Sequence, residues 1–252
     1  MNRLTRIVLI AGLASVLMLS ITAAASANTA TIGSALQHPN TPSICSDCVG
    51  VQLGQAGGSS PLPLTSPANG TVTSWAVRSG DVGAVYTLRI LRPTGGNTFT
   101  SAGTSTAPSV PGGTLDSILS HVASLPIKQG DAIGVALGPT ATGLPQFTSN
   151  NQADVLGYST SVPPDGTPVT FVPLGGHELL LQATVQFCSV PNLHKLKKVT
   201  AKQLLAAADC GVKVKKKVTN KKKFRGKVLK QKKPAGTTAA PGTVVPIVIG
   251  QK

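Results

Sequence analysis

Val85-Tyr-Thr-Leu-Arg-Ile-Leu91 alternates along the chain, with Tyr86, Leu88 and Ile90 on one side and Thr87 and Arg89 on the other. Successive side chains leave a strand in opposite directions, so a period of two marks a strand with one face on a core. Pro93-Thr-Gly-Gly-Asn97 follows with turn chemistry. Working outward, Gly70-Thr-Val-Thr-Ser-Trp-Ala-Val77 reads as a second strand, broken by Ser79-Gly80-Asp81. Lys128-Gln-Gly-Asp131 separates a run ending at Ile127 from Ala132-Ile-Gly-Val-Ala-Leu137, and Glu178 to Phe187 is a last long run. Short strands with recurrent turn signals predict a mainly β chain: an antiparallel β-sandwich or jelly-roll-like domain over residues 28–187. The composition agrees, since 27 Gly and 19 Pro suit turns and a 3% aromatic share predicts a core of Val, Leu and Ile. One segment reads otherwise: Leu115, Ile118, Leu119 and Val122 follow helical spacing after Thr114, which predicts a turn or two of helix before Pro126. Gly57 to Pro63 and Ala102 to Gly113 read as loops.

The N-terminus reads as a secretory signal peptide over residues 1–27. Arg3 and Arg6 form a positive start, Ile7 to Ala25 carries no charge, and Ala25-Ser26-Ala27 is a small-x-small cleavage pattern. Cleavage between Ala27 and Asn28 is expected, leaving no stable membrane span. An uncleaved anchor is the rival reading, disfavoured because the second half of the run is rich in Ala and Ser rather than Leu. The implied location is extracytoplasmic, where cysteines pair by default.

Residues 188–252 have a different character. The whole chain is +15, yet this stretch alone holds sixteen lysines and Arg225 against one acid, Asp209. The basicity therefore belongs to one small module. Thr200-Ala-Lys-Gln203 has the capping-box pattern of a helix start, Leu204, Leu205 and Ala208 give an apolar face, and Gly211 is a stop. Val212-Lys-Val-Lys-Lys-Lys-Val218 alternates, predicting a strand with valines inward and lysines outward. Lys227 to Gln231 and Val244 to Ile249 are further strands, with Lys221-Lys-Lys-Phe-Arg225 as a basic loop before them. The expectation is a small α+β unit: one helix packed on a three-stranded sheet.

In order and spacing, Cys188-Ser-Val-Pro-Asn-Leu193, the helix, Ala208-Asp-Cys-Gly-Val212, Gly226 to Gly236 and Pro241-Gly-Thr243 resemble a PASTA domain. Three departures concern loops: Lys195 stands where the family usually has glycine, two residues rather than one separate Gln231 from Pro234, and the segment from Pro234 to Pro241 is slightly long. The resemblance implies a binding module without catalysis, of the kind carried by penicillin-binding proteins and bacterial Ser/Thr kinases and linked to peptidoglycan fragments and β-lactams. It also implies a plainer alternative, a structural spacer. Gly70 to Trp75 and Leu91 to Gly96 more faintly resemble exported actinobacterial β-sandwich proteins that precede a single cysteine-containing PASTA-like tail.

No residue constellation asks for an enzyme or a cofactor. Cys45-Ser-Asp-Cys48 is a C-x-x-C pair without the strand-to-helix setting of a redox motif or the second nearby pair of a zinc site, so a local disulfide is preferred. Cys188 and Cys210 fit a second bridge, although four cysteines allow three connectivities. His38, His121, His177 and His194 lack metal-binding spacing and read as surface or turn residues; His177 and Glu178 fall on opposite strand faces. Trp75 reads as core rather than as a sugar-stacking platform. The active suggestion is charge: Lys213, Lys215 and Lys217 on the strand and Lys221, Lys222, Lys223 and Arg225 in the loop form a candidate polyanion-binding surface. Outside a cell its partners are peptidoglycan or another anionic cell-wall polymer. Nucleic acid is disfavoured by the leader and by Phe224 being the one aromatic in the basic stretch. The expected function is non-enzymatic association with the wall, the alternatives being carbohydrate binding or an enzyme in the sandwich with the tail as anchor, or a purely structural envelope role.

Overall fold

The computed structural model describes residues 28–41, 45–55, 62–80, 82–106, 114–138 and 143–252. The expected leader with Ala27, most of the Gly57–Pro63 loop and the end of the Ala102–Gly113 loop lie outside the described residues. Strands come first: β1 (Thr29–Gly33), β2 (Val49–Gln52), β3 (Gly70–Arg78), β4 (Tyr86–Gly95), β5 (Thr98–Thr104) and β6 (Ile118–Ile127). They continue as β7 (Ala132–Leu137), β8 (Gln146–Thr148), β9 (Val155–Ser159), β10 (Pro168–Thr170), β11 (Val172–Gly175), β12 (His177–Leu179) and β13 (Leu181–Gln186). After β14 (Cys188–Ser189) come α1 (Lys198–Ala207), β15 (Gly211–Val218), a 3-10 turn at Lys222–Phe224, β16 (Val228–Gln231), β17 (Thr238–Ala239) and β18 (Val244–Gln251).

The chain is mainly β, as expected. A four-stranded sheet in the order β1-β13-β3-β6 faces a seven-stranded sheet in the order β10-β5-β4-β7-β2-β9-β11, with every pairing antiparallel. Their inner faces share one core. Ile32, Val72, Trp75, Val77, Ala183 and Val185 come from the first sheet, and Tyr86, Leu88, Ile90, Ile133, Val135 and Leu137 from the second. Trp75 is core, and the Tyr86 hydroxyl is satisfied within it, accepting from the Gly80 N–H and donating to the Gly143 carbonyl. The outer face of the larger sheet is also partly closed, by Val49, Val51, Leu91, Phe99, Val169 and Phe171.

That second layer explains Arg89, which alternation sends to the polar side but which is buried. Its guanidinium donates to the Pro163 carbonyl and lies 3.6 Å from Asp165, which also accepts from Ser101 and Thr104. Burial lowers the Arg89 pKa, partly offset by Asp165. The expected helix after Thr114 is instead β6, an edge strand paired with β3 from Gly70↔Ile127 to Arg78↔Ile118. Leu119, Ala123 and Leu125 pack on the core and Ile127 is buried, whereas Val122 is 90% exposed. A period-two stripe thus coexists with the helical spacing, and the long ladder to β3 decides between them. Pro126 is tolerated because the strand lies at an edge. Ala102 to Thr104 complete β5 rather than starting a loop. The run from Glu178 to Phe187 divides at Leu180, β12 pairing with β8 and β13 crossing to the smaller sheet.

The smaller body follows within two residues of β13. Its sheet has the order β15-β18-β16, with β15 parallel and β16 antiparallel to the central β18. One face buries Val228, Val245, Ile247 and Ile249 against Ala201 and Leu205 of α1, with Val212 and Val214 partly covered. The helix-on-sheet expectation holds.

Candidate functional site

The helix that frames the basic module starts and ends differently from its sequence pattern. Its N-cap is Lys197, with no side-chain cap, so Thr200 and Gln203 form no capping box at its start. The i, i+4 pair Ala201 and Leu205 faces the sheet, while Leu204 is 40% exposed. At the C-terminus Asp209 takes the left-handed conformation, φ 53, rather than Gly211. The Asp209 N–H donates to Ala206 O and the Cys210 N–H to Leu205 O, the paired bonds of a Schellman stop. Gly211 instead opens β15. Cys188 and Cys210 are disulfide-bonded, tying the module's first strand to the helix end.

The other face of this sheet carries the charge. Register places Lys213 beside Pro246, Lys215 beside Val248 and Lys217 beside Gly250, while Lys230 lies beside Val248 from the opposite strand. Alternate residues on a strand are about 6.6 Å apart and strands about 4.8 Å apart, so two lysine rows flank a half-buried apolar stripe. Lys217, Val218, Thr219, Leu229, Lys230, Lys232 and Val248 line a groove of about 500 Å³ there. Val218 departs from the expected inward valines and is 63% exposed. A ten-residue helix spans about 15 Å and an eight-residue strand about 26 Å, so the far end of β15 outruns its cover.

The expected basic loop contains the 3-10 turn at Lys222–Phe224 and docks on β18, where the Gly226 N–H donates to Gly250 O and the Gly250 N–H to Lys227 O. A Cβ on Gly250 would lie 2.5 Å from Phe224 O, so this close approach requires glycine. Lys221, Lys222 and Lys223 are exposed; Arg225 is half-buried, and its Nε has no partner. Lys223 Nζ lies 5.3 Å from the Phe224 ring centre. Lys195, Lys223, Phe224 and Lys227 line a second cleft of about 230 Å³. Lys195 sits at φ 64, a left-handed conformation that costs a residue with a Cβ about 1 kcal/mol. Lys230, Lys232, Lys195 and Lys227 were not singled out among the sequence candidates; the pairing across β18 and the glycine-like position of Lys195 are what bring them in.

In the sandwich, Cys45 and Cys48 are disulfide-bonded, and Cys45, Asp47, Leu144, Gln146, Tyr158 and Thr160 border a cleft of about 700 Å³. Glu178 is buried; it accepts from the Ser34 hydroxyl and pairs with His38 Nδ1 at 2.8 Å, so His38 is not a bare surface residue. His121 packs 4.5 Å from Trp75, and burial lowers its pKa. Asp131 is held by Arg92 through two hydrogen bonds, 3.0 and 2.9 Å, and accepts the Lys128 N–H, fixing the turn at Lys128–Asp131. Among the described residues no group of three or more His, Cys, Asp or Glu is placed to hold a metal ion, and no helix is long and apolar enough to cross a membrane.

Fold and site together define a β-sandwich protein with a small, disulfide-stapled, cationic α+β module. Residues 189–251, which make up this module, match the family model described as PASTA domain. No curated protein and no solved structure matches the chain.

Proposed function

We propose that this is an exported, non-enzymatic protein that associates with the bacterial cell wall, peptidoglycan or an anionic wall polymer, through its lysine-rich PASTA domain. The observation that carries the reading is the sheet face on which Lys213, Lys215 and Lys217 oppose Lys230 across Val248 and Pro246. Two rows of ammonium groups over an apolar stripe attract an extended polyanion and leave a surface for its uncharged parts. The two disulfides support an extracytoplasmic setting. The ion pairs of the sandwich support a non-catalytic part, because Arg92 with Asp131 and Arg89 with Asp165 hold turns and loops in place. The cleft bordered by Tyr158 and Asp47 favours a second reading, carbohydrate binding by the sandwich with the PASTA domain as anchor.

The test is sedimentation of a chain starting at Asn28 with isolated cell walls across a salt series. Binding at low salt that weakens at least about tenfold by about 0.5 M salt is expected, as is its loss in Lys215→Gln/Lys217→Gln/Lys230→Gln. If the chain stays in the supernatant at low salt, the wall-association reading fails. Salt-resistant pelleting that survives the triple substitution moves binding to the sandwich.

A further inference from the structure

Lys195 occupies a backbone position suited to glycine, and the chain around it is firmly held. Its own N–H donates to Val228 O at 3.0 Å, the Val228 N–H donates to Leu196 O at 2.9 Å, and the Lys198 N–H donates to Gly226 O at 3.0 Å. This frame places Lys195 at a cleft with Lys223, Lys227 and the half-buried Phe224. The ion pairs found among the described residues all lie in the sandwich, so none joins a carboxylate to these three lysines. Three like charges around one cavity repel, and a multivalent anion relieves all three pair repulsions at once.

We propose that this cleft is a discrete binding site for a phosphate ester of a sugar or polyol. A carboxylate would neutralise one of three charges, whereas a phosphate monoester carries about −1.5 to −2 at neutral pH and three acceptor oxygens. Lysine is a point-charge phosphate binder, while the planar fork that suits a carboxylate belongs to arginine. The Phe224 face supplies the apolar wall for a ring or polyol carbon skeleton, and about 230 Å³ admits a single small unit. The cleft shares no lining residue with the groove on the lysine sheet face. The inference rests on the reading of the module as a wall-polymer binder, and the two surfaces then act in turn. The sheet face attracts the polymer, and the cleft recognises a terminal phosphate monoester on it.

The experiment is titration of the chain from Asn28 with glucose 1-phosphate, glucuronate, glucose and inorganic phosphate, followed by calorimetry and by amide shifts of Lys195 and Lys227. Glucose 1-phosphate is expected to bind at least about tenfold tighter than each of the others. Lys195→Gly, which suits the backbone, and Lys227→Gln are each expected to weaken it at least about fivefold with unchanged circular dichroism, while Lys213→Gln/Lys215→Gln leaves it intact. Equal affinity for inorganic phosphate or glucuronate overturns the inference. So does unchanged affinity in Lys195→Gly, or an equal loss in the sheet-face variant. If glucose 1-phosphate fails while walls still sediment the chain reversibly with salt, the cleft fails alone; if it binds while walls do not sediment the chain, the wall-association reading fails alone.

Discussion

Replacing Cys188 and Cys210 with alanine should unfold the PASTA domain well before the sandwich. The bridge joins residues 22 apart, and the loop-entropy relation gives about 3.4 kcal/mol at 25 °C for closing such a loop in the unfolded chain. The same relation gives only about 1.6 kcal/mol for Cys45–Cys48, which are 3 apart. A unit of this size has a small core to set against that loss, and its buried cluster contains no aromatic residue. With a urea slope of about 1 kcal/mol/M for so small a unit, the module's midpoint should fall by about 3 M. The molecule provides its own separate probes. Its one tryptophan, Trp75, lies in the sandwich core, and both tyrosines, Tyr86 and Tyr158, are in the sandwich as well. Tryptophan emission therefore reports the sandwich, and circular dichroism detects the helix-bearing module in addition. The expected result is an early dichroism transition with the emission curve unmoved. A module shift below about 1 M would refute the entropic account, and an emission curve shifting in step would refute separate unfolding of the two bodies.

Two further outcomes are specific. Burial raises the Asp165 pKa, but hydrogen bonds from Ser101 and Thr104 and the charge of Arg89 outweigh it, so the native pKa lies below the usual value. A depressed carboxylate adds stability that is full above its unfolded pKa and is lost as pH falls through the native one; because Asp165 is about half exposed, Asp165→Asn should cost less than about 1 kcal/mol at pH 7 and flatten the acid limb of a melting-temperature profile below about pH 4. The Asn28 nitrogen lies 3.2 Å from Asp209 Oδ2, so cleavage before Asn28 would convert an amide contact into an ion pair between the sandwich and the PASTA domain. Asp209→Asn should then destabilise a chain beginning at Asn28 more than one with extra residues before it, by up to about 1 kcal/mol in thermal melts; equal effects would show that the new terminus adds nothing.

Much of this architecture was legible because alternation, turns and cysteines act locally. The strands β3, β4, β7, β15, β16 and β18 lie where their apolar periods put them. What was missed depends on partners distant in sequence. The segment after Thr114 carries both a helical and an alternating apolar spacing, and only β3, far earlier in the chain, resolves it. Arg89 falls with Thr87 on the polar side of the alternation, yet the loop around Pro163 and Asp165 folds over it. Thr200 and Gln203 had the chemistry of a cap, but the preceding strand-like pairing of Lys197 with Lys227 fixes an earlier helix start, with Lys197 as N-cap.

The binding surface follows the same logic. The lysine row of β15 could be read from one strand, whereas the facing row, Lys230 and Lys232, exists only because β16 and β15 both pair with β18. A chain that merely needed solubility could place its lysines anywhere outward. Here Lys195 is a lysine at a backbone position that favours glycine, and Lys227 and Lys223 converge on it beside Phe224. Solubility does not require a strained residue or a clustered one, because a nearby lysine on the same exposed segment, such as Lys197, supplies the same charge without the left-handed backbone. The strain at Lys195 therefore weighs towards a ligand that uses its ammonium group there, and Lys195→Gly separates the two accounts: a more stable chain that binds sugar phosphate as before would favour charge alone, and a more stable chain that binds it poorly would favour a site.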